Sequence, residues 1–109
     1  MSHGTLAAGE PLRLSDLIAT TGHGIASRVL AKTAGGNVTL FAFDAGEGLS
    51  EHTAPFDALV IVLEGTVSLT VGGRPVEAVP GTIVRMPANV PHAVDAEAPS
   101  RMLLTMLKG

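Results

Sequence analysis

The sequence contains no cysteine, tyrosine or tryptophan, and only three phenylalanines. Without cysteine the chain has no disulfides, no thiolate metal sites and no cysteine nucleophile. Without tyrosine and tryptophan it has no phenolic acid and no indole stacking surface. Histidine, aspartate and glutamate therefore remain as the side chains for metal binding or acid–base chemistry.

Charge and long apolar runs are also scarce. Seven Lys and Arg stand against ten Asp and Glu, and the cations form no cluster of the kind that binds a phosphate backbone, so we expect no nucleic-acid partner. The longest apolar run, residues 58–63, is far shorter than the roughly 20 residues of a membrane span. The first residues lack the basic and apolar stretches of a secretory signal. We therefore expect a cytoplasmic protein with no membrane partner.

Apolar residues, glycine and proline are abundant. The chain has 109 residues, enough for one domain, and 13 Gly and 7 Pro separate short runs rich in β-branched residues. This pattern predicts an all-β domain with eight strands, at residues 25–33, 37–44, 57–64, 66–71, 75–79, 82–86, 92–95 and 101–108. Tight turns are predicted at Gly35-Gly36 and Gly72-Gly73. A short helix is predicted at Asp16 to Thr20, with Ser15 as its cap.

Two spaced motifs surround two of the four histidines. The first contains Gly46, then His52 after five residues, then Gly65 thirteen positions further on. The second contains a glycine, a proline after five intervening residues, an asparagine and a histidine, namely Gly81, Pro87, Asn89 and His92. Together they resemble the motifs of the cupin family of small conserved β-barrels. The resemblance implies a cupin-type double-stranded β-helix, or jelly-roll barrel, over residues 25–109, preceded by an arm with a short helix over residues 1–24.

The chain departs from the family pattern at two positions. The second histidine of the family falls on Ala54 and its acidic ligand falls on Ala58. Asp57 is next to the acidic position, but neighbouring strand residues face opposite sides, so it is a ligand only if a bulge shifts the register. The resemblance therefore implies His52 and His92 as ligands of a divalent metal, Zn, Fe, Mn or Ni, with two of the four usual ligands missing.

Three functions remain open at this point, and with them whether the protein is an enzyme. The first is binding of a small molecule in an apolar barrel pocket marked by His52, Ala54, Ala58 and His92. The second is a metal-dependent enzyme of the dioxygenase or isomerase kind. The third is metal-free acid–base catalysis like that of sugar epimerases of this fold, which is disfavoured because those relatives pair a histidine base with a tyrosine acid. If the pocket holds no metal, the two imidazoles bond each other, a water or a ligand.

Other polar and soft side chains receive structural interpretations. His3 is expected in the terminal segment and His23 in a glycine-flanked loop, neither as a ligand. Three methionines, Met86, Met102 and Met106, are expected to fill the core, although some could line an adaptable apolar pocket.

The strand at residues 57–64 predicts a homodimer. If Ala58 and its alternate residues face the barrel interior, then Leu59, Ile61 and Leu63 face outward, and a strand that is apolar on both faces must be covered on both. The N-terminal segment offers leucines for part of this cover. A second subunit is the expected cover for the rest, as is common for small cupins.

Overall fold

A computed structural model describes residues 5–22 and 24–108 of the chain. Within these residues the chain forms nine strands, all paired antiparallel. They are β1 (Ile25–Thr33), β2 (Gly36–Phe43), β3 (Gly48–His52), β4 (Asp57–Glu64), β5 (Val67–Val71), β6 (Arg74–Ala78), β7 (Ile83–Met86), β8 (His92–Ala96) and β9 (Ser100–Leu107). None of the described residues belongs to a helix long and apolar enough to cross a bilayer.

The strands form two sheets that enclose the core between their inner faces. The five-stranded sheet has the order β1-β2-β9-β4-β7 and the four-stranded sheet has the order β3-β8-β5-β6. Side chains of both sheets, among them Phe43, Val60, Leu69 and Val94, form one buried cluster. This two-layered antiparallel arrangement confirms the predicted all-β jelly-roll fold.

The inner and outer faces of β4 follow the predicted alternation. Ala58, Val60 and Val62 face the core with exposed fractions of 5%, 0% and 0%. The three aliphatic residues between and after them face outward and are half-buried. With this alternation, the methyl group of Ala58 points into the barrel.

All eight predicted strands exist, with ends within one residue of those observed, but the ninth, β3, was missed. Its sequence, Gly-Leu-Ser-Glu-His, has one large apolar residue and no alternation, so nothing local indicates a strand. Its strand conformation comes from pairing with β8, which sequence periodicity does not report.

The predicted helix at Asp16 to Thr20 is wrong. The chain instead forms one 3-10 turn at Leu14–Asp16, closed by the amide of Leu17 on the carbonyl of Leu14, without a side-chain cap from Ser15. A segment this short, with β-branched residues following it and Gly22 soon after, cannot repay the cost of helix nucleation.

One of the two predicted glycine turns is displaced. Gly72 and Gly73 both have positive φ, +60° and +79°, and form the tight turn between β5 and β6 as predicted. The turn between β1 and β2 instead uses Ala34 and Gly35, while Gly36 begins β2. Gly36 is needed in the ladder itself, because a Cβ there would overlap the carbonyl oxygen of Met106 on β9.

The N-terminal segment lies along the edge of the five-stranded sheet. The amide of Leu6 donates to the carbonyl of Leu30, and the Arg28 guanidinium donates to the carbonyl of Leu17. The neighbouring Leu40 on β2 has no exposed surface and lies outside the core cluster. The segment therefore packs near β1 and β2. These strands lie at the edge of the five-stranded sheet that is opposite β7.

Candidate functional site

The two motif histidines lie opposite each other on neighbouring strands. His52 ends β3, His92 begins β8, and the two pair directly in the antiparallel ladder after a register shift between Leu49 and His52. Directly opposite residues project to the same face of a sheet. The ring centroids are accordingly 4.3 Å apart, with the planes at 73°.

Backbone carbonyls fix the tautomer of both rings. Nδ1 of His52 lies 2.8 Å from the carbonyl oxygen of Ser50, and Nδ1 of His92 lies 3.1 Å from that of Val90. A carbonyl oxygen only accepts hydrogen bonds, so each Nδ1 carries a proton and donates it. In a neutral imidazole this leaves Nε2 as a lone-pair acceptor.

The two Nε2 atoms face each other at 3.1 Å. Two lone pairs cannot bond to each other, so this contact requires either a further proton on one ring or an electron-poor group bound by both nitrogens. His92 is 4% exposed, whereas the His52 side chain is exposed. The pair therefore lies between the barrel interior and solvent, and its two Nε2 atoms converge on one point.

A pocket of about 60 Å³ adjoins the imidazole pair. All four residues predicted to mark the pocket, His52, Ala54, Ala58 and His92, line it. Its other walls are leucine, valine, methionine and Phe56, so the two imidazoles are the polar side chains among the described lining residues.

No carboxylate joins the two histidines within the described part of the chain. No group of three or more His, Cys, Asp or Glu side chains there is placed to hold a metal ion. Asp57 stays on the face opposite Ala58, since the register at the start of β4 is regular. Its carboxylate accepts from the amide of Ala88 and from Arg85, at 2.8 and 3.1 Å. The Ala88 bond first, and Arg85 in addition, hold the pKa of Asp57 below its usual value against a smaller opposing effect of desolvation.

The remaining sequence candidates do not extend this site. His3 and His23 lie outside the described residues. A larger surface groove, of about 280 Å³, lies beside the turn between β1 and β2. No histidine, aspartate or glutamate lines it among the described residues, and its polar side chains are those of Lys32, Thr33, Asn37 and Thr105.

Comparison with known proteins identifies the family. The cupin-domain family matches residues 39–107, a range that includes β3 to β9 and both histidines. The chain belongs to the cupin family. No curated protein matches it in sequence.

Several solved structures resemble this cupin over most of its length. A conserved protein of unknown function from Streptococcus pyogenes is 27% identical with a TM-score of 0.91, over 100% of this chain and 96% of the other. A cupin superfamily protein from Desulfitobacterium hafniense is 28% identical with a TM-score of 0.90, over 100% of both chains. A cupin 2 conserved barrel domain protein from Leptotrichia buccalis is 37% identical with a TM-score of 0.85, over 89% of this chain and 47% of the other.

The hard divalent metal sites associated with the family fit this cupin poorly. Oxygen-activating sites of this kind use two histidines and a carboxylate. The described pocket supplies the two histidines and no carboxylate, so it offers no negative charge to a divalent ion. The imidazoles themselves suit metal binding, because each Nδ1 donates to a carbonyl, which leaves Nε2 as the nitrogen that can ligate.

Sequence reasoning underestimated the methionines. Met86, Met102 and Met106 were expected mainly as core filling, and two of them do belong to the buried cluster. All three also line the imidazole pocket. Met86 on β7 and Met106 on β9 both pair with Ala58, which stands where the family has its acidic ligand. Only knowledge of the strand order would have revealed this placement.

Proposed function

We propose that this cupin binds a small molecule in the barrel pocket through its paired imidazoles. The observation that supports this is the convergence of two Nε2 acceptors, 3.1 Å apart, on a pocket whose other described walls are apolar. A few convergent polar groups in an apolar cavity are what orient a small ligand. Backbone carbonyls hold both rings in place before a ligand arrives, so binding orders little that was mobile.

The tautomer of the rings selects the chemistry of the ligand. Two Nε2 lone pairs favour a group that donates two hydrogen bonds, such as a primary amide, an amine or a pair of hydroxyls. A pocket of about 60 Å³ is small beside the roughly 300–1,000 Å³ of drug-sized sites. The ligand is therefore a few atoms in size, or it displaces the flexible methionines that line the pocket.

Thermal denaturation with a panel of small amides, amines and diols tests this function. We expect at least one class to raise the Tm of the wild type, because a ligand bound only to the native state stabilises it by mass action. The double variant His52→Ala/His92→Ala should fold and lose this response, since the barrel is held by strand pairing and apolar packing. Glu51→Ala is the matched control, because Glu51 is an exposed neighbour of His52.

Two results would contradict the proposal. A double variant that responds like the wild type would place binding elsewhere. A double variant that does not fold would make the histidines structural, and single variants would then show which ring the fold requires.

A second candidate is a metal-dependent enzyme of the dioxygenase or isomerase kind. The two converging Nε2 atoms favour it, since a proton-free contact between them needs an electron-poor partner. Elemental analysis of protein purified without a polyhistidine tag decides between the candidates. Stoichiometric Zn, Fe, Mn or Ni would support the enzyme, and their absence would favour small-molecule binding.

We further propose a homodimer that packs through the outer face of β4 and β7. Ile61 pairs with Leu103 on β9 and with Ile83 on β7, and Ile83 is 58% exposed. The N-terminal segment packs at the opposite edge of this sheet, where the amide of Leu6 donates to the carbonyl of Leu30. A second copy is the cover that an exposed apolar sheet face favours. Cytoplasmic location and the lack of nucleic-acid and membrane partners remain predictions from composition.

A further inference from the structure

The turn between β7 and β8, residues 87–91, is anchored to β4 and to the loop before it. The amide of Ala88 donates to a carboxylate oxygen of Asp57 at 2.8 Å, and the amide of Asn89 donates to the carbonyl of Ala54 at 2.7 Å. Asn89 has φ +62°, in the left-handed region that residues other than glycine rarely adopt. Such a conformation persists only where its surroundings fix it, so these two bonds hold the turn in shape.

This turn carries the carbonyl group that fixes the tautomer of His92. Val90 follows the two anchored amides, and its carbonyl oxygen accepts from Nδ1 of His92 at 3.1 Å. The next carbonyl, that of Pro91, accepts from the amide of Gly72 at 2.8 Å. The hydrogen bond that one ring nitrogen makes decides where a neutral imidazole carries its proton. A displaced Val90 carbonyl would therefore free the proton to move to Nε2, and the Nε2 lone pair would be lost.

Asp57 reaches the turn from outside the pocket. It lies on the face of β4 opposite Ala58 and is not among the lining residues of the pocket. Its bond to the Ala88 amide is the largest cause of its lowered pKa, ahead of both effects of Arg85. The main partner of the carboxylate is therefore the turn rather than the cation. Because the acceptor is ionised, this bond is stronger than one between neutral groups.

We propose that Asp57 is a positioning residue for the imidazole pocket. Its carboxylate holds the turn at residues 87–91, and the Val90 carbonyl of that turn holds the proton of His92 on Nδ1. His92 thereby keeps a lone pair on the Nε2 atom that faces the other imidazole. The effect on ligand binding rests on the proposed function, whereas the tautomer of His92 is measured without any ligand.

Long-range proton–nitrogen NMR of the isotope-labelled, ligand-free protein measures this tautomer. Spectra are recorded at alkaline pH, where free imidazole is neutral, and His92→Ala assigns the signals. We expect the Nδ1–H form of His92 to dominate in the wild type. Asp57→Ala should lower the ratio of the Nδ1–H form to the Nε2–H form by about tenfold, the equilibrium effect of one charge-assisted hydrogen bond. Asp57→Asn keeps a neutral acceptor for the Ala88 amide and should lower the ratio by about threefold.

Two control variants separate the turn from the ion pairs of β4. Arg85→Ala removes the cation beside Asp57 and keeps the bond to the turn, so it should change the ratio by less than about twofold. Glu64→Ala is the matched control, because Glu64 is an acidic residue at the opposite end of β4 and also pairs with an arginine, Arg101. It should likewise leave the ratio unchanged. If Asp57→Ala does not fold, Asp57→Asn is compared with Arg85→Ala. A ratio that stays within about twofold of the wild type in every Asp57 variant that folds, or that falls equally in Glu64→Ala, would overturn the proposal.

The positioning role and small-molecule binding fail separately. Asp57→Ala should also weaken binding of a responsive amide, amine or diol by up to about tenfold, because apparent affinity falls with the fraction of the binding-competent form. A wild type that ignores the panel while the His92 tautomer depends on Asp57 contradicts the proposed function and supports the positioning role. A wild type that responds to the panel while the tautomer is insensitive to Asp57 supports the proposed function and refutes the positioning role.

Discussion

Restoring the missing cupin ligands is the most informative perturbation. Ala58→Glu returns the acidic ligand and Ala54→His returns the second histidine of the family pattern, both at positions that line the pocket. Ala58 is 5% exposed and lies between Met86 and Met106 in the sheet. Without a metal, the new carboxylate has no Lys, Arg, amide or hydroxyl partner among the described lining residues, and the imidazoles there direct their Nδ1 protons to backbone carbonyls.

The cost of that carboxylate is large for a domain of this size. An uncompensated buried charge destabilises a protein by about 3–5 kcal/mol. This is a large part of the roughly 5–15 kcal/mol that holds a typical domain together. At about 4–8 °C per kcal/mol, the metal-free Ala54→His/Ala58→Glu variant should melt roughly 12–40 °C below the wild type.

A divalent metal should reverse most of this loss. Zinc or nickel at about a thousand times its dissociation constant stabilises the native state by about 4 kcal/mol. Thermal denaturation followed by circular dichroism, with and without excess metal, therefore shows a large metal-dependent rise in Tm for the variant and a small one for the wild type. If the double variant does not fold, the same measurement is made on Ala54→His alone, which adds an imidazole without adding a buried charge. Equal stabilisation of wild type and variant would mean that the natural pocket already holds a full divalent site.

Three further changes test the dimer, the packing at Gly65 and the hydrogen-bonded carboxylate of Asp57. Ile61→Glu should convert the proposed dimer to monomer or aggregate, measured by light scattering, and a monomeric wild type at micromolar concentration would rule the dimer out. Gly65→Ala should destabilise by more than about 1 kcal/mol in chemical denaturation, because Gly65 has φ +76° and a Cβ would overlap Ser100, so an unchanged midpoint would contradict this packing. The lowered pKa of Asp57 makes its stabilisation complete above its usual value of 3.8 and lost as pH falls further. The stability gap between wild type and Asp57→Asn should therefore shrink below that pH, and a gap that stays constant would exclude the bonds of the ionised carboxylate to the Ala88 amide and to Arg85 as its cause.

Local sequence determined most of the strands and which residues of β4 face the core. Alternation of apolar and polar residues has the period of a strand, and the Gly72-Gly73 pair has the backbone freedom that a tight turn needs. The spacing of the motifs also placed His52 and His92 in one pocket with Ala54 and Ala58. These features depend on residues a few positions apart, or on a pattern that the whole family shares.

The tertiary structure decided what the sequence pattern could not contain. Strand β3 has no alternating pattern of its own and forms by pairing with β8. Gly36 lies in β2 rather than in the predicted turn, where β9 approaches it too closely for a Cβ. The 3.1 Å contact between the imidazoles depends on that same pairing, and the protonation of the rings depends on which carbonyls face them. Met86 and Met106 lie far apart in sequence and meet around Ala58 only because β4 is placed between β7 and β9. Strand order is set by the packing of the whole chain. The set of side chains that line the pocket could therefore not be predicted from any local segment.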